Sequence, residues 1–174
     1  MKYLVKFVVV TLFVLVCTYA QAEQKIVYID MKYVLNNSKA GKGAQDFLQK
    51  SYIDNQKKFS DLEKELKKEE SDLLKQKTVL DKNEYTKKTD ELRKKVIDFQ
   101  SQRRTAIDKI ATQRAESRET LMNQIAPIVD TYIKENGISL VMDKKNVVGG
   151  LNEFDITKVI IEKLDKVLPS LNLK

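Results

Sequence analysis

The chain has 174 residues, 33% of them charged, with no histidine, one cysteine and a net charge of +7. Without histidine the chain lacks the usual general base, the Ser–His and Cys–His nucleophile pairs, and the commonest metal ligand. The surplus of Lys and Arg favours acidic or anionic partners.

Residues 1–22 read as a secretory signal peptide. Lys2 and Lys6 supply the positive n-region, and Phe7 to Val16 is an apolar h-region too short to span a bilayer. Ala20-Gln21-Ala22 is a small-residue cleavage site, so cleavage is expected between Ala22 and Glu23. The rivals are an uncleaved anchor and a lipoprotein built on Cys17, but Val16 stands where a lipoprotein needs a small residue. Cleavage would leave Glu23–Lys174, 152 residues with a net charge of +5 and no thiol. That product could use neither a disulfide nor a cysteine nucleophile in the oxidising space to which it is sent.

Lys25-Ile26-Val27-Tyr28-Ile29-Asp30 is a β-branched run and predicts a strand. Met31 to Leu35 suits a helical turn, and Asn36-Asn37-Ser38 and Gly41-Lys42-Gly43 predict loop.

From Ala44 to Ala126 there is neither glycine nor proline, and good helix formers dominate. A heptad stripe runs Leu48, Tyr52, Asn55, Phe59, Leu62, Leu66, Glu69, Leu73, Gln76, Leu80. It turns polar at Glu69 and Gln76, and Asp81-Lys82-Asn83-Glu84 interrupts it. A second stripe follows through Tyr85, Leu92, Val96, Phe99, Ala106 and Ile110, then Leu121, Ile125 and Ile128. This pattern predicts two antiparallel helices with a tip near residues 81–84, where Asp81 and Glu84 resemble a capping box. The rival is one unbroken helix. Each arm would be about 38 residues, or roughly 57 Å, long. Its seam would comprise Tyr52, Phe59, Leu62, Leu66, Leu73, Leu80, Leu92, Val96, Phe99 and Ile110. The thin seam near the tip and Pro127 at the root would let the arms flex.

Gly137 is expected to end the second helix as a left-handed cap. Ile138-Ser139-Leu140-Val141-Met142 predicts a second strand, and Asn146-Val147-Val148 a possible third. Gly149-Gly150 breaks the chain, and Asp155 is placed as the cap of a last helix that Pro169 stops. The fold class is therefore α+β, a long antiparallel coiled-coil hairpin (44–126) inserted into a small α/β body (23–43 and 127–174). So small a body covers little of its own apolar surface and leaves strand edges open. Association through Ile26, Val27, Ile29, Leu140, Val141, Ile160 and Leu164 would relieve both, the rival being a monomer stabilised by its hairpin.

The opening strand, the charged hairpin and the tail Ile138-Ser139-Leu140-Val141-Met142-Asp143 leading through Asp155-Ile156-Thr157 together resemble the Skp/OmpH family of periplasmic chaperones. The tail is the most specific part, and the resemblance covers essentially all of the chain after the leader. It implies a homotrimer whose strands join in a central β core. Three arms would surround a cavity that holds unfolded outer-membrane proteins in the periplasm without nucleotide. It brings no motif of catalytic, cofactor-binding or metal-binding residues.

Between Gln49 and Thr120 there are 19 Lys plus Arg against 15 Asp plus Glu, so the hairpin holds most of the charge excess. The basic residues Lys87, Lys88, Arg93, Lys94, Lys95, Arg103, Arg104, Lys109 and Arg114 are the expected client-binding surface, acting by many weak contacts. Anionic lipid or lipopolysaccharide is a further possible partner. Part of this charge belongs to local pairs at i,i+4: Asp54–Lys58, Glu63–Lys67, Glu84–Lys88, Asp90–Lys94 and Glu91–Lys95. Two other classes fit less well. A nucleic-acid binder would explain the basic charge but not the leader, and no specific nucleic-acid partner is expected. A periplasmic spacer or envelope adaptor would use the hairpin as a rod and bind one fixed partner.

Overall fold

A computed structural model describes residues 24–173. The expected leader and its cleavage point at Ala22 and Glu23 lie outside the described residues.

Strand β1 (Lys25–Ile29) leads into helix α1 (Met31–Asn37), whose start is fixed by the Asp30 carboxylate accepting the Tyr33 N–H at 2.8 Å. Ser38 then adopts an extended conformation and breaks the helix for one residue. Its buried hydroxyl accepts the Gly41 N–H at 3.2 Å and caps α2 (Lys39–Lys75). The loop expected over Asn36–Ser38 and Gly41–Gly43 therefore shrinks to Ser38. A serine in the N-cap position satisfies a free N–H of the first turn. Gly41 is kept for space, since a Cβ there would stand 1.9 Å from the Leu35 carbonyl oxygen.

The chain reverses through a 3-10 turn, Gln76–Thr78, and enters α3 (Lys82–Glu135). Asp81 is the N-cap, its carboxylate accepting from the N–H groups of Asn83 and Glu84 at 2.8 and 3.0 Å. Helix α3 has 54 residues against 37 in α2, so it runs back along α2 and then on into the body. Pro127 lies inside α3, removing one donor from its ladder. Gly137 ends the helix at φ +60°.

Strand β2 (Ile138–Asp143) pairs with β1 in parallel, so the whole arm is the crossover between two adjacent strands. Ile26 faces Leu140 and Tyr28 faces Met142, with Ser139 an extra residue between the first two register pairs. This bulge turns Ile138 inward while Leu140 points outward. A third strand at Asn146–Val148 does not form. Asp143 accepts the Lys145 N–H and starts a 3-10 turn over Lys144–Asn146, which leaves Val148 fully exposed.

The last helix, α4, spans Thr157–Val167. Its cap position is Ile156 rather than Asp155, although the Asp155 carboxylate does accept the Thr157 N–H at 3.0 Å. Ile156 is held there because its own N–H donates to the Tyr28 carbonyl at 3.0 Å. The core lies between the inner face of the two strands and the helices. Val27, Ile29, Val34, Leu121, Ile125, Ile138, Ile160 and Leu164 meet there, joining both ends of the chain around the root of α3.

Candidate functional site

The arm is a two-helix structure, and two helices can bury only a narrow stripe. Phe59 and Leu73 are buried; Leu62, Leu66, Leu80, Leu92, Phe99 and Ile110 are half-buried. Tyr52 and Val96, also expected in the seam, are 52% and 38% exposed, because no third helix covers the flank on which they stand. Phe59 and Phe99 meet edge to face across the arm, with ring centroids 6.0 Å apart.

The two flanks of this stripe differ. On one, the Lys95 ammonium donates to both carboxylate oxygens of Glu69 at 2.9 and 2.7 Å, and Lys88 donates to the Gln76 side-chain oxygen at 2.8 Å. Glu69 and Gln76 break the apolar pattern in the sequence, yet each is closed by a lysine from the opposite helix. On the other flank, no ion pair within 4 Å crosses between α2 and α3 among the described residues. That flank is an open groove. Its two adjoining lobes have volumes of about 270 and about 510 Å³ and share Glu63, Phe99 and Arg103. Tyr52, Phe59 and Ile107 line the lobe nearer the body, and Leu66, Leu92 and Val96 the lobe nearer the tip.

The nine basic residues singled out in the sequence all lie exposed on α3, but they do not converge on one place. From Lys87 to Arg114 they extend along roughly 40 Å of helix and point in several directions. Lys88 and Lys95 tie the two arms together. Arg93 pairs with Asp90 at 2.8 Å, and Arg104 approaches Asp108 at 3.9 Å. Arg103 lies in the groove, and Arg114 beside Arg118 at the root of the arm. Lys87 and Lys94 stand near the tip, and Lys109 is exposed further back.

Of the five expected i,i+4 pairs, only Glu63–Lys67 forms, at 2.7 Å. The Lys67 hydrogen bond holds the Glu63 carboxyl below its ordinary value, and Glu63 holds the Lys67 ammonium above its own. Lys88 and Lys95 leave Glu84 and Glu91 for partners across the arm, Asp90 takes Arg93 instead of Lys94, and Asp54 and Lys58 stay apart, with Lys58 over the Phe59 ring.

In the body, Val27, Ile29, Ile160 and Leu164 are spent inside the chain's own core. Val141 is half-buried against it. Ile26, Leu140 and Met142 stand on the other face of the strands, 45%, 51% and 37% exposed. Tyr28 on that face is covered, its hydroxyl donating to the Leu151 carbonyl at 3.2 Å and its ring lying under Lys144. Lys144 also bonds Asp155 at 3.1 Å. Partial burial pushes the Asp155 carboxyl up, but the Thr157 hydroxyl and N–H together with Lys144 outweigh it and bring it below its ordinary value.

Sequence reasoning missed the difference between the two flanks. The signal was present in part: Ile107 beside Ala106 widens the apolar stripe, and Lys88 and Lys95 are spaced by one heptad like Gln76 and Glu69. Among the described residues, no cluster of Asp, Glu or Cys could hold a metal ion, and no helix is long and apolar enough to cross a membrane.

A family model described as outer membrane protein (OmpH-like) matches residues 25–164, from β1 into α4. No curated protein matches the chain. Among solved structures, the fold is similar to that of an OmpH-like protein from Caulobacter crescentus CB15, provisionally described as an outer membrane chaperone. The TM-score is 0.79 at 14% identity, with 89% of this chain and 92% of that one covered.

Proposed function

The chain belongs to the OmpH-like family, and on that premise we propose that it is a chaperone of the Skp/OmpH type acting on unfolded outer-membrane proteins. It works as a holdase in the periplasm, reached through a leader removed after Ala22, and needs no nucleotide. Three copies join through the outer face of β1 and β2, where Ile26, Leu140 and Met142 leave an apolar patch uncovered. Their arms project from this core and enclose the client.

The observation that carries the reading is the arm itself. It is a two-helix projection from a small body, with apolar side chains along one open flank and a surplus of basic charge. An enclosed enzyme core would bury such a stripe, whereas a surface that must grip many sequences keeps it accessible. The lysine and arginine stems can cover apolar client surface while their charges stay in water. Electrostatic attraction among several arms speeds capture and holds the client by many weak contacts. Replacing Arg93, Lys94, Arg103, Arg104, Lys109 and Arg114 by Gln is expected to weaken client binding and flatten its salt dependence.

The test is dilution of a urea-denatured outer-membrane β-barrel protein into buffer with and without the purified chain, without nucleotide, followed by turbidity. Suppressed aggregation with a soluble complex supports the holdase. A well-folded oligomer that leaves aggregation unchanged would point instead to a spacer or adaptor with one fixed partner.

A further inference from the structure

We propose that the open flank of the arm is a groove for an extended stretch of client chain, in which aromatic or aliphatic side chains alternate with polar ones around a carboxylate. This rests on the chaperone reading and assigns the contact to one face of the arm.

Three observations carry it. The first is continuity. Along α2 the groove follows Tyr52, Phe59, Glu63 and Leu66 to Glu70, and its two lobes share Glu63, Phe99 and Arg103. From Tyr52 to Glu70 this is about 27 Å of helix, the length of about eight residues of extended chain.

The second is the division of labour between the flanks. On the opposite side, Lys95–Glu69 and Lys88–Gln76 close the seam with polar contacts. The groove side has apolar side chains and no ion pair across its two lobes among the described residues. Tyr52 and Ile107 remain more than half exposed there, and Val96 38%. A seam meant only to hold two helices together gains nothing from leaving these groups in water.

The third is charge. Lys67 is taken by Glu63, and Arg93 by Asp90. Arg103, where the two lobes meet, makes no ion pair within 4 Å among the described residues; its charge reaches only as far as helping to hold the Glu63 carboxyl below its ordinary value. It is placed to receive a client carboxylate between the apolar side chains of the two lobes. The lobes, about 270 and about 510 Å³, each have room for a large side chain. Side chains on one side of an extended chain recur about every 7 Å, which suits such lobes, whereas a helix would present a continuous ridge.

The experiment uses the full-length chain after leader removal and two fluorescent peptides of equal composition. One alternates Phe or Tyr with Ser or Thr around a central Asp; the other arranges the same residues at helical spacing. Binding is read by fluorescence anisotropy for the parent, for a Val96→Ser/Ile107→Ser variant, for Arg103→Glu, and for Leu74→Ser as a control away from the groove. The alternating peptide is expected to bind the parent and the control alike. The groove variant should lose at least about tenfold, and Arg103→Glu should lose affinity mainly at low salt. Circular dichroism and light scattering on each variant check that fold and assembly are unchanged.

Equal binding by parent and groove variants would overturn the proposal, as would tighter binding of the helically spaced peptide. A fall in oligomer mass in the groove variant would show that the groove is occupied by another copy, and would overturn it too. If the parent suppresses aggregation of the unfolded β-barrel protein but does not bind the peptide, the groove assignment fails and the holdase stands. If it does not suppress aggregation, the holdase reading itself fails.

Discussion

Two glycines two residues apart make opposite predictions. At Gly41 a methyl group would drive into the Leu35 carbonyl at 1.9 Å, backbone that cannot turn aside, so Gly41→Ala should destabilise the body by about 1–3 kcal/mol. At Gly43 nothing lies within 4 Å, and the residue is helical, so Gly43→Ala should stabilise by about 0.5–1 kcal/mol. Urea denaturation of both variants checks the pair. Asp155 gives a prediction in pH. Its carboxyl is held below its ordinary value of 3.8, so its contribution is fully present above that value. It disappears as pH falls through the lower folded value. Asp155→Ala removes the hydrogen bonds from Thr157 and Lys144 and should cost about 1 kcal/mol at neutral pH, and the gap between variant and parent should close in strong acid, read by thermal unfolding at several pH values. Neither effect could be read from the sequence. Gly41 looked like half of a flexible Gly41-Lys42-Gly43 loop because its role depends on Leu35 passing behind it. Asp155 looked like a cap because the Tyr28 carbonyl that fixes Ile156 in place is remote in the chain.

At the scale of elements, what repeats was legible and what depends on a distant neighbour was not. The heptad from Leu48 to Leu80 and its return after Asp81 announced two long helices, because a helix writes its buried face at regular spacing. The β-branched runs at Ile26 and Ile138 announced the two strands. Asn146–Val148 looked equally strand-like, but no neighbouring strand waits for it and Asp143 turns the chain first. The polar seam positions were legible as polar, but not as bonded. Glu69–Lys95 and Gln76–Lys88 join the two helices where the apolar packing is lost. Glu69 and Lys95 are each about half exposed, so a double-mutant cycle with Ala should give a coupling of only about 0.2–1 kcal/mol, falling with salt. Hydrogen exchange of Glu69→Ala should quicken in the outer half of the arm and leave the body unchanged. Equal acceleration in the body would mean that the arm and body unfold as one unit.

For the whole molecule, the chain divides its apolar surface between two tasks. The inner face of the strands closes the body on itself, while Ile26, Leu140 and Met142 on the outer face and the groove along the arm stay open. The first open surface is assigned to self-association, so Leu140→Asp should reduce an oligomer to single chains in light scattering while leaving helix content intact. A variant that keeps its mass would place the contact elsewhere. The second open surface is the one proposed to hold the client, and a photo-activated cross-linker at Ile107 on the arm, compared with one at Val159 on α4, tests this most directly. With an unfolded outer-membrane protein bound, the client should be captured from Ile107 and hardly at all from Val159. Capture from Val159 with none from Ile107 would contradict holding by the arms.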